Sequence, residues 1–266
     1  MEIALSIGEE SRPLPRNDLP PRTAAANAAV IVPALNEEEG IGPTLEELMD
    51  VLEGGLGDPT YFVVDGMSTD RTREIAQSKG ARIIQQTGKG KGQAVAQAFP
   101  LIPADAEYVV LTDGDYTYPA TAIPEMFALM DSDPSIGMVT GNRFPQAFRL
   151  PSLNPSFYYY LGNRLLALAQ YTLNGIRMRD PLTGLRVVRA DLIRDWTPKS
   201  KGFAVEAELN HHIQNSGFKI REVLIDYRSR LGKKKLGVTS GFPILFRIIK
   251  QTLTRRHVAQ PNRNIP

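Results

Sequence analysis

The chain has 266 residues, 42% of them hydrophobic, enough to bury one full α/β core. It contains no cysteine, which excludes disulfide scaffolds, thiolate zinc sites and cysteine nucleophiles, and points to a reducing compartment. Its 31 basic and 29 acidic residues nearly cancel, so it lacks the one-signed field of a nucleic-acid binder and no such partner is expected.

Residues 1–27 read as a flexible leader, since Pro13, Pro15, Pro20 and Pro21 oppose regular structure and no basic start precedes an apolar core. Nowhere do about 18 apolar residues run together without charge, so the chain reads as soluble or peripheral to a membrane.

An apolar strand over 28–32 ends at Pro33, and an acidic loop leads into a helix that runs to Leu52. The same order returns with a strand at 61–64, a loop at 65–70 and a helix at 71–79. A third strand at 81–85 precedes a Gly/Lys loop and a helix at 93–99. A fourth, at 108–112, runs directly into Asp113 and Asp115. A fifth is expected at 137–140, followed by Gly141 to Arg143, an aromatic stretch at 157–160 and a helix at 162–173. Such alternation predicts a mostly parallel sheet covered by helices on both faces. Ligands of such sheets bind beyond the carboxyl ends of the strands, where the acidic loops at 33–39, 65–70 and 113–119 would converge.

Asp113 and Asp115, two residues apart after an apolar strand, suit one hard divalent cation held jointly with substrate phosphate oxygens. Alone, an Asp-Gly-Asp is more often a turn that caps a helix. Here it stands in series with PALNEEEG after the first strand, VVDGMSTDRT after the second and GKGKGQA before the third helix, and itself reads LTDGDYTYP.

In these motifs the chain resembles the GT-A family 2 glycosyltransferases, in the branch of dolichol-phosphate mannose synthase and polyprenyl-phosphate sugar transferases, over roughly residues 28–240. The resemblance implies a GT-A (Rossmann-like) α/β fold and a metal-dependent, inverting transfer of a hexose from UDP or GDP to dolichyl or polyprenyl phosphate, with Mg2+ or Mn2+ as cofactor. It implies that Pro33 and Glu37 line the nucleoside pocket, that Asp65 binds the base, and that Asp113 binds nucleotide and metal together with Asp115. The family often has two consecutive aspartates where this chain reads Asp65-Gly66. Thr117 stands where a glutamine is common and becomes a third candidate metal ligand. Arg143, in a Gly-x-Arg, would grip phosphate oxygens through its planar fork.

DPLTGLRVVR resembles the family's Asp-x-x-Ser/Thr-Gly-x-Arg signature and SKGFAVEAEL its Gly-Phe segment, which implies Asp180, Thr183 and Arg186 at the acceptor phosphate and Glu208 as a catalytic carboxylate. Glu206 and Glu208 lie two apart on a helix, so only one of them faces the site, and alignment favours Glu208. EVLIDYRSRLGKKKLG resembles the terminal strand and basic loop, with Lys234 in place of serine, and adds Arg230 and Lys235 as acceptor-phosphate candidates. His211, His212 and His257 read as structural or surface residues.

The segment GFPILFRIIKQTL sets apolar side chains among Arg247 and Lys250, so 241–266 reads as an amphipathic tail for a membrane surface. The expected setting is the cytoplasmic face of a membrane, with or without a membrane-anchoring subunit. Two other readings keep the fold. One is a glucosyltransferase acting on a small soluble phosphate such as 3-phosphoglycerate. The other is a non-catalytic nucleotide-binding or scaffolding subunit, motivated by Gly66, Thr117 and Lys234.

Overall fold

The computed structural model describes residues 27–52, 59–144, 155–232 and 241–253, with backbone alone for 155–159 and 253. The strands are β1 (Ala28–Ala34), β2 (Thr60–Asp65), β3 (Arg82–Gln85), β4 (Tyr108–Leu111), β5 (Ile136–Asn142), β6 (Arg186–Arg189) and β7 (Lys219–Leu224). The helices are α1 (Ile41–Leu52), α2 (Thr72–Ser78), α3 (Lys91–Ala98), α4 (Ile123–Ser132), α5 (Pro155–Asn174), α6 (Ala204–Asn215) and α7 (Gly241–Leu253).

The strands form one seven-stranded sheet in the order β3-β2-β1-β4-β6-β5-β7. β6 is antiparallel to both of its neighbours, and every other pairing is parallel. The expected mostly parallel sheet is present, with β6 as the strand that the sequence reading did not separate from its signature motif.

Both sheet faces are dry because the strands alternate apolar residues to either side. In β1, Ala28, Val30, Val32 and Ala34 join a core with Ile41, Leu45, Leu48 and Leu52 of α1 and with α2 and α4. Ala29 and Ile31 join the opposite core with Ala94, Val95 and Ala98 of α3 and Val205, Leu209 and Ile213 of α6. The α1 set recurs at helical spacing, and each of its four large side chains, fully buried, stabilises the fold by about 1.5–3 kcal/mol.

A third, smaller core joins Leu166 of α5, Ala204 and Ala207 of α6, and Ile244 and Ile248 of α7. The 241–253 stretch is therefore packed onto the body along one side. Two boundaries move: α3 begins at Lys91, so that lysine is helical, and α5 takes in the whole aromatic stretch. No described helix is long and apolar enough to cross a membrane.

Candidate active site

The loops after β1, β2 and β4 meet at one edge of the sheet and are stitched by side-chain hydrogen bonds. Asn36 N–H donates to Ser68 Oγ at 2.9 Å, Thr69 N–H to Asn36 Oδ1 at 2.8 Å and Glu37 N–H to Thr72 Oγ1 at 2.7 Å. Among the described residues, the non-glycine positions with positive φ are Asn36, Met67 and Tyr116, one in each of these loops. Such conformations cost free energy and persist where surrounding bonds enforce them, as they do at functional sites.

Gly40, at the entry to α1, lies so close to the Asp113-Gly114-Asp115 turn that a Cβ there would stand 2.7 Å from Asp115 Cα and from the Gly114 carbonyl oxygen. The first helix is thus seated directly on the carboxylate turn. From the other side, Leu231 N–H donates to Asp115 O and Arg228 N–H to Thr117 O, each at 3.0 Å, so the segment after β7 pairs with the same turn.

Charge completes the site. Arg230 Nη2 donates to both Glu37 oxygens at 2.7 and 2.8 Å, and its Nη1 lies 3.5 Å from Asp115 Oδ2. Lys91 Nζ donates to Asp113 Oδ1 at 2.6 Å and to Glu206 Oε1 at 2.7 Å. Burial opposes the charge on Lys91, but Asp113 and Glu206 outweigh it and hold the ammonium protonated. Glu206 itself is pushed upward by burial, against the pull of Lys91 and Arg186.

A second cluster lies alongside. Arg143 reaches Asp180 through Nε and Nη2, both at 2.7 Å, and through its backbone N–H at 3.1 Å. Glu222 on β7 accepts from the backbone N–H groups of Arg179 and Asp180 at 2.8 Å each and fixes that loop. Gly184 N–H donates to Tyr118 Oη at 2.7 Å. A Cβ on Gly184 would stand 2.5 Å from Asp113 Oδ2, so the Thr-Gly turn abuts the metal-type pair.

The structure therefore brings together Glu37, Asp113, Asp115 and Arg230, with Arg143 and Asp180 alongside. Pro33 borders the same region, beside Lys91, Thr112, Gly184 and Glu206. Lys235 lies outside the described residues.

Five expectations change, the last of them that of Glu208. Asp65 is fully buried, and both of its oxygens accept from Ser68 N–H at 3.2 Å, so it shapes its loop and offers no open carboxylate to a base. Thr117 is also buried and donates its hydroxyl to Asp115 Oδ1 at 2.6 Å, so its side chain orients Asp115. Arg186 is enclosed, donating to Thr183 O, Pro181 O and Asn210 Oδ1 at 3.0, 2.9 and 2.6 Å, and cannot reach an acceptor phosphate. Thr183 is likewise buried, with its hydroxyl unpartnered among the described residues.

Glu208 points away from the site. It accepts from Lys199 N–H at 2.8 Å and Ser200 N–H at 2.7 Å and pairs with Arg247. Glu206 holds the inward position instead. The two-residue spacing showed that only one would face inward, but the choice depended on where α3 sits. Gly92 fixes that, since a Cβ there would overlap the Ser200 carbonyl oxygen, 1.9 Å away. Lys91 was missed because GKGKGQA reads as a motif without a role for any single lysine, and the helix is expected from sequence to begin two residues later.

A parallel sheet with one reversed strand, an Asp-x-Asp turn at a strand's carboxyl end and acidic loops beside it define the GT-A class of nucleotide-sugar transferases. Residues 29–192 match the family described as glycosyl transferase family 2. The chain belongs to that family.

It is 35% identical over 216 residues to the dolichyl-phosphate hexose transferase of Haloferax volcanii, covering 80% of this chain and 88% of that one. It is 33% identical to glycosyltransferase AglJ of the same organism, covering 76% of this chain and 63% of the longer relative. In fold it is similar to glucosyl-3-phosphoglycerate synthase from Mycobacterium tuberculosis, solved with Mn2+, UDP-glucose and phosphoglyceric acid. The TM-score is 0.65 at 20% identity, over 87% of this chain and 81% of that one.

Proposed function

We propose that this enzyme moves a hexose from a UDP or GDP donor to a dolichyl or polyprenyl phosphate presented at the cytoplasmic face of a membrane. The observation that carries the reading is the convergence of Glu37, Asp113 and Asp115 at one sheet edge with the buried-edge Arg143 beside them. Similarity to a dolichyl-phosphate hexose transferase supports the acceptor class.

The donor set fits Mg2+ or Mn2+. Asp113 and Asp115 provide hard oxygen ligands that already draw cationic side chains, and no group of three His, Cys, Asp or Glu able to hold a metal occurs among the described residues. Two carboxylates completed by diphosphate oxygens and water are the usual arrangement for such ions. When bound, the ion supplies charge neutralisation on the departing nucleotide diphosphate.

The chain's own residues do the rest. Glu37 accepts ribose hydroxyls once Arg230 yields them, and Arg230 turns its fork to phosphate. Thr117 holds Asp115 in orientation, and Lys91 holds Asp113. Arg143, braced by Asp180 and Glu222, presents a guanidinium to the acceptor phosphate. An oxygen of that phosphate attacks the anomeric carbon opposite the leaving diphosphate, and configuration inverts. The nucleophile is already anionic near neutral pH, so no strong general base is required.

The test is transfer of labelled sugar from UDP-glucose, UDP-N-acetylglucosamine and GDP-mannose to polyprenyl phosphate, with and without Mn2+ or Mg2+. Metal-dependent label in the organic phase is expected and names the donor. Label confined to the aqueous phase with 3-phosphoglycerate as acceptor would replace the lipid by a soluble phosphate.

A further inference from the structure

Helices α5 and α7 share an inner seam. Asn174 Nδ2 donates to Ile248 O at 3.3 Å, Thr252 Oγ1 bonds Asn174 Oδ1 at 3.3 Å, and Leu166, Ile244 and Ile248 are buried against Ala204 and Ala207. An ordinary surface helix would be polar on its other side. Here the outward side is apolar on both. On α5, Leu161, Leu165 and Leu168 recur at helical spacing and are exposed, Leu165 by 59%. On α7, Phe242, Leu245, Phe246 and Ile249 do the same, Phe242 by 78% and Phe246 by 68%.

The charge on this pair of helices is one-signed. Arg164, Arg247 and Lys250 lie within them and no aspartate or glutamate does. Arg164 and Lys250 are exposed, and Arg177, just beyond α5, lies with its guanidinium 5.3 Å from the Tyr171 ring centroid at the rim. Large exposed apolar patches mark interaction sites, and an apolar face edged only by cations complements an anionic headgroup layer. A second copy of the chain is a poorer occupant, because two such faces would oppose Arg164 to cations with no carboxylate on either helix.

We infer that α5 and α7 together form a platform that docks this enzyme onto a bilayer containing anionic phospholipid. The inference rests on the lipid-acceptor reading for its purpose, since the start of α5 reaches the site: the Tyr160 ring centroid lies 5.1 Å from that of Phe144, whose ring faces the Arg143 guanidinium. A lipid phosphate at Arg143 would leave its chain running toward the platform. The helix that the sequence did not suggest for this role, α5, carries half of the surface.

The test is flotation of the full chain with vesicles of phosphatidylcholine, with and without phosphatidylglycerol. Wild type is expected to float with the phosphatidylglycerol vesicles and to be released by high salt. The double variant Leu165→Glu/Leu168→Glu and the single variant Phe246→Glu should each lower binding by about tenfold or more, from loss of buried apolar area alone. Unchanged circular dichroism and thermal midpoint would show that these exposed positions leave the fold intact.

Wild type that floats with neither vesicle overturns the platform, as does an α5 variant that floats like wild type. So does a dimer in light scattering that the α5 variant dissociates, which would assign the face to a second copy. Transfer to a short-chain polyprenyl phosphate in detergent separates the two claims. If wild type and the α5 variant both transfer there while wild type fails to float, the platform falls and the transferase reading stands. Flotation without transfer to any acceptor leaves the platform and removes the transferase reading.

Discussion

Lys91 and Glu206, 115 positions apart in sequence, place an ammonium nitrogen 2.7 Å from a carboxylate oxygen, and the same nitrogen lies 2.6 Å from Asp113. The first residue of α3 thereby connects the carboxylate turn to α6. Both members of the Lys91–Glu206 pair are largely buried, so loss of the cation strands a carboxylate away from water. Lys91→Met is expected to destabilise the protein by about 3 kcal/mol in urea unfolding and to abolish transfer. A variant with wild-type stability would show that solvent reaches Glu206.

Thr117 separates a supporting role from a ligating one. Thr117→Val removes the hydroxyl donated to Asp115 and should lower kcat/KM about tenfold, while Mn2+ affinity measured in the presence of UDP falls by less than the loss in Asp115→Asn. Thr117→Ser, which restores the donor, should recover most of the rate. If the valine variant loses metal as completely as Asp115→Asn, Thr117 is itself a ligand.

The two signature arginines should part company. Arg186→Met leaves the Thr183 and Pro181 carbonyls and the Asn210 amide oxygen without their donor, and a loss of about 3 kcal/mol or more in stability is expected. Arg143→Lys keeps the charge but not the fork. It should leave the fold standing and raise KM for the acceptor about tenfold, with donor KM little changed. Equal effects of both on stability, with no effect on KM, would move Arg143 out of the site.

Gly40 offers a test of how the carboxylate turn is held. Gly40→Ala pushes a methyl into the Asp115 backbone, and an overpacking cost of about 1–3 kcal/mol is expected together with a large fall in metal-dependent transfer. Normal activity would mean that the turn and α1 separate without consequence.

His212 predicts a pH effect remote from the site. Burial lowers its pKa, only partly offset by the bond to the Leu192 carbonyl at 2.7 Å, and its ring stacks on Trp196 with centroids 4.4 Å apart. A depressed folded value means that the unfolded chain binds the proton more readily. The contribution of neutral His212 is thus present above the ordinary value of about 6.5 and lost as pH falls through the folded one. Urea unfolding of wild type and His212→Phe should therefore diverge below that value, with wild type losing more stability. Parallel curves would show that His212 titrates alike in both states.

The sequence made the left half of the sheet and its loops readable, because β1, β2 and β4 are continuous apolar runs that end abruptly in Asn, Asp and Glu. β6 was hidden: four residues with an arginine at each end look like a motif, and only pairing with β4 and β5 makes them a strand. The partition of Glu206 from Glu208, and of Arg143 from Arg186, lay beyond reach for a related reason. Helical phase and motif order say which side chains diverge, whereas the packing of Gly92 on Ser200 and of Arg186 on Asn210 decides which one meets the site. Asp65 misled because a carboxylate at a strand end suits ribose and base contact equally well as it suits capping its own turn.

The reversal of β6 has an evolutionary side. Glu37, Asp113 and Arg143 leave the ends of strands, but residues 180–184 arrive before theirs, on a stretch that begins after β5 and returns through α5. That excursion touches the turn after β4 where Gly184 bonds Tyr118 and abuts Asp113, so a change within it is constrained by that contact. If that stretch meets the recipient, as proposed, a lineage built on this sheet could change recipients while the Gly184 contact keeps the carboxylate turn in place.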